Sequence, residues 1–422
     1  MPRPAATLAG IMPPPSRPSM SSPVVVTMLT LLLGIQPVAT DLYLPALPTI
    51  GRELHAGVAA VQLTLSALIL SFGLAQLACG PLADRHGRRP VLLAGMALFT
   101  VASVLATLAP TIEWLIAWRA LQGAGMAAAV ACGRSIVRDL FEPQEGARMM
   151  SRALGGLGVI AMLSPLVGGA VVQWLDWRAA LLVLALFGAA TLSFIAWRFE
   201  ETVPRRNPEA TRLGPLLRNW LHVAGHPTFR AWVSLLALTY GGLFVFLAAS
   251  SFVFIEVLGV SRIGYGAVMA SNSLAYVAGT LLCRRLLASR GLRRTVKLGA
   301  AFTLAGGLGM VLLSLSGLHS VWAVLVPQWS FALGHGIHQP CGQVGAVGPF
   351  PEKAGTAAAL SGFLMMAVSF AIGIALGHLL NGTVYPLTLG IGAFSIGVAT
   401  VAWTLVQRHG EPRLAPAVVP SA

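Results

Sequence analysis

Ten residues at positions 80–89, GPLADRHGRR, separate two apolar runs and carry five charged or titratable side chains. The runs, 58–79 and 91–109, are each long enough to cross the roughly 30 Å hydrocarbon core of a bilayer as a helix. A short basic turn between two spanning helices belongs on the cytoplasmic side, because clustered arginine is retained there. This feature therefore predicts a membrane protein of several spans that turns tightly at Gly80 and Gly87.

A weaker copy of the turn lies in RLLASRGLRRTVKLG at 285–299. In it, Arg290 and Arg293 follow Arg85 and Arg88 by 205 positions, which is close to half of the 422 residues. Repeated halves of this size are typical of secondary transporters. The chain is therefore expected to be a duplicated helical bundle.

The composition excludes a soluble globular protein, because 56% of the residues are hydrophobic and only 10% are charged, with a mean hydropathy of +0.77. Glycine and proline interrupt the apolar sequence at about the interval that a spanning helix requires. The pattern predicts an all-α membrane protein with twelve transmembrane helices in two pseudo-symmetric six-helix halves. The predicted spans are 23–48, 58–79, 91–109, 114–135, 150–173, 178–199, 231–257, 264–287, 296–317, 320–347, 354–380 and 385–406.

The net charge of +14 follows the predicted topology. Most basic residues lie in the segments that an even number of crossings, with both termini inside, places in the cytoplasm. No basic domain with interleaved aromatic residues lies outside the spans, so nucleic acid is not an expected partner. The predicted parts are a disordered cytoplasmic N-terminus at 1–22, an N-terminal six-helix bundle at 23–199, a cytoplasmic linker at 200–230, a C-terminal six-helix bundle at 231–406 and a cytoplasmic tail at 407–422.

Several motifs carry a family resemblance. The turn GPLADRHGRRP resembles the signature between helices 2 and 3 of the major facilitator superfamily. Other segments are similar to the bicyclomycin and chloramphenicol resistance (Bcr/CflA) branch of its drug:proton antiporters, namely ATDLYLPALP, RALQGAG, RSIVRDLF, SPLVGGAV, LDWRAAL, SFVFIEVLGVS and FPEKAGTAAAL.

The resemblance implies proton-coupled efflux of small amphipathic drugs across the bacterial inner membrane, with substrate, protons and the lipid bilayer as partners. It implies a multi-pass protein that works as a monomer and needs no cofactor beyond the proton gradient. A carrier of a physiological metabolite on the same fold is the alternative. An enzyme is not expected, because no HExxH, GxSxG or paired intramembrane aspartate motif is present.

The basic turn is predicted to be a conformational latch. Its two glycines permit a close turn, and an aspartate at position 84 suits the amino end of another helix. The resemblance implies that this aspartate packs against the helix that follows PEKAGT, while Arg88 pairs with an acid at the end of the fourth span. The alternative is that the arginines only anchor topology. The predicted latch residues are Gly80, Asp84, Arg85, Gly87, Arg88, Arg89 and Asp139.

Asp41 is the one carboxylate that the predicted spans place inside the hydrocarbon region. A charge there is costly, so ionisable residues in such positions face polar cavities and mark ion or proton paths. We therefore predict that Asp41 carries the proton, the alternative being a solvated cap near the outer surface. Arg119 in the fourth span needs a partner, either Asp41 or the polar backbone around Pro45. The resemblance assigns Arg119 to proton coupling; a structural donor to backbone carbonyls is the alternative.

Two further groups of residues are candidates. In the fifth span, Pro165, Gly168 and Gly169 predict a kinked helix packed closely on a neighbour, with an ordinary kink as the alternative. The substrate cavity is predicted to contain Gln62, Gln122, Tyr240, Asn272, Tyr276, His335 and His338. The two histidines share one helix face, and packing near Pro340 is the alternative role for them. No third or fourth ligand accompanies them, so no metal site is predicted.

Overall fold

The computed structural model describes residues 20–203 and 206–411. Most of the predicted disordered N-terminus, and the tail beyond 411, lie outside the described residues. Within the described ranges the chain is α-helical with short 3₁₀ and π turns and contains no strand. The helices are α1 (Ser22–Thr40), α2 (Leu47–Glu53), α3 (Val58–His86), α4 (Arg88–Thr107), α5 (Ile112–Leu140), α6 (Pro143–Trp174), α7 (Trp177–Arg198), α8 (Leu213–Gly225), α9 (Pro227–Ser251), α10 (Arg262–Leu315), α11 (Val321–Val347), α12 (Ala354–Leu379), α13 (Tyr385–Trp403) and α14 (Leu405–His409).

Ten helical segments in the described ranges are long and apolar enough to cross a membrane. One of them, α10, has 54 residues and breaks at Gly291, so it forms two arms, α10a (262–290) and α10b (292–315). The 27-residue α11 is not among the ten, because polar side chains such as Gln328, His335 and His338 lower its hydropathy. With both arms of α10 and with α11, the spans number twelve, and the predicted all-α membrane fold is confirmed.

The two basic turns share one backbone device. Gly87 has a φ of 106° and Gly291 a φ of 72°, and this left-handed region is open to glycine at little cost. Each glycine therefore reverses the chain between two spanning helices without a loop. The similarity of the two turns agrees with the repeat seen in the sequence.

The spanning helices form two groups by their contacts. The first group contains α1 and α3 to α7, and the second contains α9 to α13. Across the interface between them, α3 packs along α12 and α6 packs along α10. We call the end of the bundle with the turn at Gly87 the hinge side and the opposite end the far side. The boundaries predicted for the two bundles, 23–199 and 231–406, remain untested predictions.

The first span is a broken helix. The α-helix α1 ends at Thr40, a 3₁₀ turn follows at Leu44–Ala46, and α2 resumes at Leu47. Pro45 and Pro48 account for the break, because proline has no N–H to donate and its ring clashes with the preceding helical turn. The backbone is thus irregular in the middle of a span, which membrane proteins tolerate only where protein or a polar cavity surrounds it.

Candidate functional site

Asp41 lies in the break of the first span. Its N–H donates to Pro37 O at 2.8 Å, and its carboxylate accepts a 2.8 Å hydrogen bond from the Thr40 hydroxyl. The residues after it, from Leu42 to Leu47, are buried, while Asp41 itself is half-buried. The span continues to Glu53, so Asp41 is well inside the bundle and is not a cap at the far surface.

The carboxylate of Asp41 faces the second group of helices. Two tyrosines of that group, Tyr240 on α9 and Tyr265 on α10a, are near enough to interact with its charge. Tyr240 also interacts with the side chain of Gln36, which lies on the same span as Asp41. An acid at the interface between the two halves is therefore in a position to respond when one half moves relative to the other.

Arg119 is fully buried on α5, and its side chain donates a hydrogen bond to the backbone of the first span. Its Nη2 donates to Ala39 O at 2.8 Å, its Nη1 donates to Gln122 Oε1 at 2.9 Å, and its guanidinium lies 4.1 Å from the centre of the Tyr43 ring. Among the described residues, Arg119 and Asp41 form no ion pair. Of the two partners expected for Arg119, Asp41 and the polar backbone of the first span, the structure shows a backbone carbonyl of that span, Ala39 O, with the Tyr43 ring against the guanidinium.

The kink of α6 is packed against the same break. Pro165 lies inside the helix, and a Cβ on Gly168 would collide with the carbonyl of Leu42, next to Asp41. A Cβ on Gly169 would collide with the carbonyl of Arg262 in the second half. The two glycines therefore let one helix touch both the proton-site candidate and the opposite half.

In the second half, aromatic rings surround one of the two predicted histidines. His335 lies 5.4 Å from the Tyr276 ring and 6.4 Å from the Tyr240 ring, measured between centroids, and its Nδ1 is 3.1 Å from the Thr239 hydroxyl. Both tyrosines are half-buried. This aromatic cluster, Tyr240, Tyr276 and His335, lies across the interface from Asp41.

Gln62 also faces the interface. Its amide donates to Ala248 O of the second half at 2.6 Å. Within the part of the chain that the structure describes, the Gln62 Oε1 and the Ser251 hydroxyl have no hydrogen-bond partner although both are buried. Buried polar atoms of this kind are candidates for contact with a bound molecule.

The remaining cavity candidates are used inside their own halves. Gln122 donates to Ser103 at 2.8 Å and accepts from Arg119, so it does not reach the interface. Asn272 accepts from Gln328 at 3.1 Å. The His338 Nε2 is 3.2 Å from Val296 O on α10b. The rotation of each helix about its axis decides whether a polar side chain faces the interface or a neighbouring helix of its own half. The spacing of polar residues in the sequence does not specify this rotation.

The latch residues form an ion-pair cluster on the hinge side. Arg88, only 6% exposed, pairs with Asp84 at 2.6 Å and with Asp139 at 3.1 Å. Arg85 donates to the Thr211 hydroxyl, and Arg89 donates to Ala196 O at 3.0 Å. Gly80 has open space around it. A buried arginine between two acids joins α3, α4 and α5 rigidly at this end.

Glu201 completes this cluster and was missed by the sequence analysis. Its carboxylate accepts from the backbone N–H of Arg88 at 2.9 Å and of Arg89 at 3.2 Å. These N–H groups begin α4, so Glu201 supplies the acceptor and negative charge that a helix start favours. The next residue, Thr202, donates to Asp139 at 3.1 Å. Nothing in the local sequence distinguishes Glu201 from Glu200.

The resemblance implied that Asp84 packs against the start of α12, but among the described residues its side chain makes no bond there. Among the described residues its side chain pairs with Arg88, and its carbonyl accepts from the Asn207 N–H at 2.9 Å. Its side chain is half exposed. The ion pairs of the latch are therefore all within the first half.

On the far side, polar contacts join the two halves. Arg52 at the end of α2 pairs with Glu256 at 2.8 Å, and Arg262 donates to the Thr49 hydroxyl at 3.0 Å. Glu256 lies in the π turn Phe252–Val257, and π turns often occur at functional positions. We call Thr49, Arg52, Glu256 and Arg262 the far-side gate. It joins the two halves at that end of the interface.

Reversing one charge of the gate is expected to open the far side. In Arg52→Glu the carboxylates at positions 52 and 256 repel each other. The assay is the reaction of Thr383→Cys with an impermeant maleimide. Because the pair is exposed, we expect a modest effect, about a two- to fivefold faster reaction. Thr383 lines a far-side cavity of about 340 Å³ with Arg52 and Glu256, and the four native cysteines are buried. The double variant Arg52→Glu, Glu256→Arg should return to the original rate. Equal rates in all three proteins would show that the pair does not hold the gate.

Comparison with known proteins identifies the fold family. The family model described as Major Facilitator Superfamily matches residues 29–374. A crystal structure of a D-xylose–proton symporter superimposes with a TM-score of 0.70 over 92% of this chain and 99% of the other, at 16% identity. The chain belongs to the Major Facilitator Superfamily, whose members carry small molecules across membranes, and it is a multi-pass membrane protein.

Curated relatives support the narrower resemblance. The chain is 33% identical to multidrug resistance protein D of Escherichia coli, over 80% of this chain and 84% of that protein. It is 25% identical to a bicyclomycin resistance protein homolog of Haemophilus influenzae, over 91% and 96%. It is 29% identical to a chloramphenicol resistance protein of Pseudomonas aeruginosa, over 76% and 75%. The similarity to the Bcr/CflA branch, expected from the motifs, is confirmed.

Proposed function

We propose that this protein exports small amphipathic drugs from bacteria by exchange for protons. The names of its relatives, which include multidrug, bicyclomycin and chloramphenicol resistance proteins, support the drug class. The proton gradient is the energy source, no further cofactor takes part, and the monomer is the working unit. The bacterial inner membrane is the proposed location, with both termini and the hinge side in the cytoplasm.

The position of Asp41 is the observation that carries this proposal. Of the 14 acidic residues, all lying in the described ranges, Asp41 is the one in the interior of a span. The others are in loops or within about a turn of a helix end. An acid at a helix break, facing the opposite half, is suited to take up a proton in one conformation and release it in another.

The lining of the interface supports an amphipathic substrate. The aromatic cluster offers flat apolar surfaces, and the Gln62 Oε1 and Ser251 hydroxyl offer two polar atoms without partners. Ligand sites of this composition bind largely apolar molecules and use a few polar groups for orientation. A sugar would need many more hydrogen-bonding groups than these residues provide.

Transport in reconstituted vesicles tests the proposal. Purified protein in proteoliposomes, with an imposed proton gradient, is expected to accumulate chloramphenicol or bicyclomycin against its concentration gradient, and a protonophore should abolish accumulation. D-xylose serves as the matched polar solute and should not accumulate. Accumulation of the sugar without either drug would contradict the proposal and favour a metabolite carrier. Drug accumulation that survives the protonophore would contradict proton coupling.

A further inference from the structure

The short helix α8 carries an apolar stripe outside the spanning helices. Leu213, Leu217 and Leu221 are 71%, 51% and 73% exposed. Their spacing of four residues places them one above another on the helix surface. With 13 residues, α8 is too short to cross a bilayer. Its leucines therefore are not the lipid-facing side chains of a span.

The other faces of α8 have distinct surroundings. Val223 is fully buried where α8 packs against α9 and α12. Arg218 and His222, again four residues apart, are exposed on a separate stripe. Around its circumference the helix thus presents a protein-facing side, an apolar side and a polar side. A helix that lies in the plane of a membrane surface has this division, with its apolar side in the lipid and its polar side in water.

The position of α8 brings its apolar side to the membrane surface. The helix ends at Gly225, and the spanning helix α9 begins at Pro227, so α8 is held at the hinge-side end of a span. At the nearby end of α7, Trp197 is 76% exposed with the Arg198 guanidinium 3.9 Å from its ring centre. Exposed tryptophan and arginine are typical of the level of lipid headgroups. The exposed leucines of α8 are therefore on the hinge side of the bundle, where Trp197 and Arg198 mark the headgroup level.

The charges near α8 favour anionic lipid. Within residues 206–230 there are four arginines and one glutamate, Glu209, which is paired with Arg212. Arg218 is exposed and makes no ion pair with any described residue. Basic residues at a membrane surface attract anionic headgroups.

We propose that α8 lies in the hinge-side surface of the bilayer, with its three leucines at the boundary of headgroups and acyl chains and Arg218 bound to anionic phospholipid headgroups. The partner is the lipid leaflet and not another protein. The contact also reaches the start of α12, because the His226 ring at the end of α8 lies 5.2 Å from the Phe350 ring, just before α12. Lipid that holds α8 therefore helps to position the start of α12.

Spin-label accessibility in the full-length protein tests the location. Nitroxides attached to Leu217→Cys and, as the matched control, Pro215→Cys, an exposed position of α8 outside the leucine stripe, are compared in proteoliposomes. We expect the label at 217 to be relaxed by oxygen and shielded from a water-soluble nickel chelate, at a depth of about 5 to 10 Å, while the label at 215 is relaxed by the chelate. Chelate access at both positions would overturn the proposal. Protection of position 217 from both reagents would also overturn it, because that result indicates a protein contact.

Lipid titration tests the charge. A fluorophore at position 217 is quenched by brominated phosphatidylglycerol mixed at increasing fractions into phosphatidylcholine. Arg218→Gln is expected to raise the fraction of phosphatidylglycerol that gives half-maximal quenching by about fivefold, because one contact between a surface arginine and the headgroups is lost. Arg408→Gln, an exposed arginine on α14, is the matched control and should leave it unchanged. An unchanged midpoint in Arg218→Gln would overturn the headgroup contact.

Discussion

Replacing Asp41 with asparagine is expected to abolish uphill drug transport, reducing it to the background of vesicles without protein. Asparagine has nearly the same shape, and its Oδ1 still accepts the hydrogen bond that Thr40 donates at 2.8 Å, but its amide does not take up a proton. The protein should therefore fold and insert normally. Proteoliposomes with an imposed proton gradient measure the uphill rate, and a second assay without a gradient measures downhill exchange.

Two controls separate coupling from folding in this experiment. Asp41→Glu retains a titratable carboxylate and should keep part of the uphill activity. Glu209→Gln removes an exposed acid of the linker and should transport as the original protein does. Downhill exchange should persist in Asp41→Asn. Full uphill transport by Asp41→Asn would remove Asp41 from proton coupling.

Replacing Arg119 with alanine is expected to lower the free energy of unfolding by about 3 to 5 kcal/mol, because it opens a cavity and leaves two buried acceptors without a donor. The side chain is fully buried. Its removal would leave the Ala39 carbonyl and the Gln122 Oε1 without the guanidinium that donates to both. Arg119→Lys should not restore stability, because lysine lacks the planar fork that reaches both acceptors and stacks on Tyr43. Thermal unfolding of the detergent-purified protein provides the measurement.

The matched control for Arg119 lies on the same helix. Arg138 is exposed and bonds to Ser135 of its own helix at 3.1 Å, so Arg138→Ala should change stability by less than about 1 kcal/mol. Similar losses for the two variants would mean that Arg119 is not a special support of the broken span. Unchanged stability of Arg119→Ala would contradict the structural role directly.

The membrane fold could be predicted from the sequence, because a helix that crosses a bilayer requires a long apolar segment. Each span must satisfy its backbone hydrogen bonds within itself, so length and hydropathy alone predict its existence. The span predicted at 320–347 is present as α11, although polar residues directed to neighbouring helices lower its hydropathy. The basic turn and its repeat could also be predicted from the sequence, because each contains a glycine, which adopts a positive φ at little steric cost.

The pairing of polar side chains was decided by the tertiary structure. From the sequence alone, Asp41 and Arg119 both stand out as buried charges, yet the relative rotation of α1 and α5 directs the arginine to the Ala39 carbonyl. Arg52 and Glu256 are separated by 204 positions, and Glu201 reaches the start of α4 only because the linker folds back along it. Such contacts depend on helix packing and on side-chain direction. Local sequence specifies which residues are costly to bury, and only the assembled bundle decides which partners offset that cost.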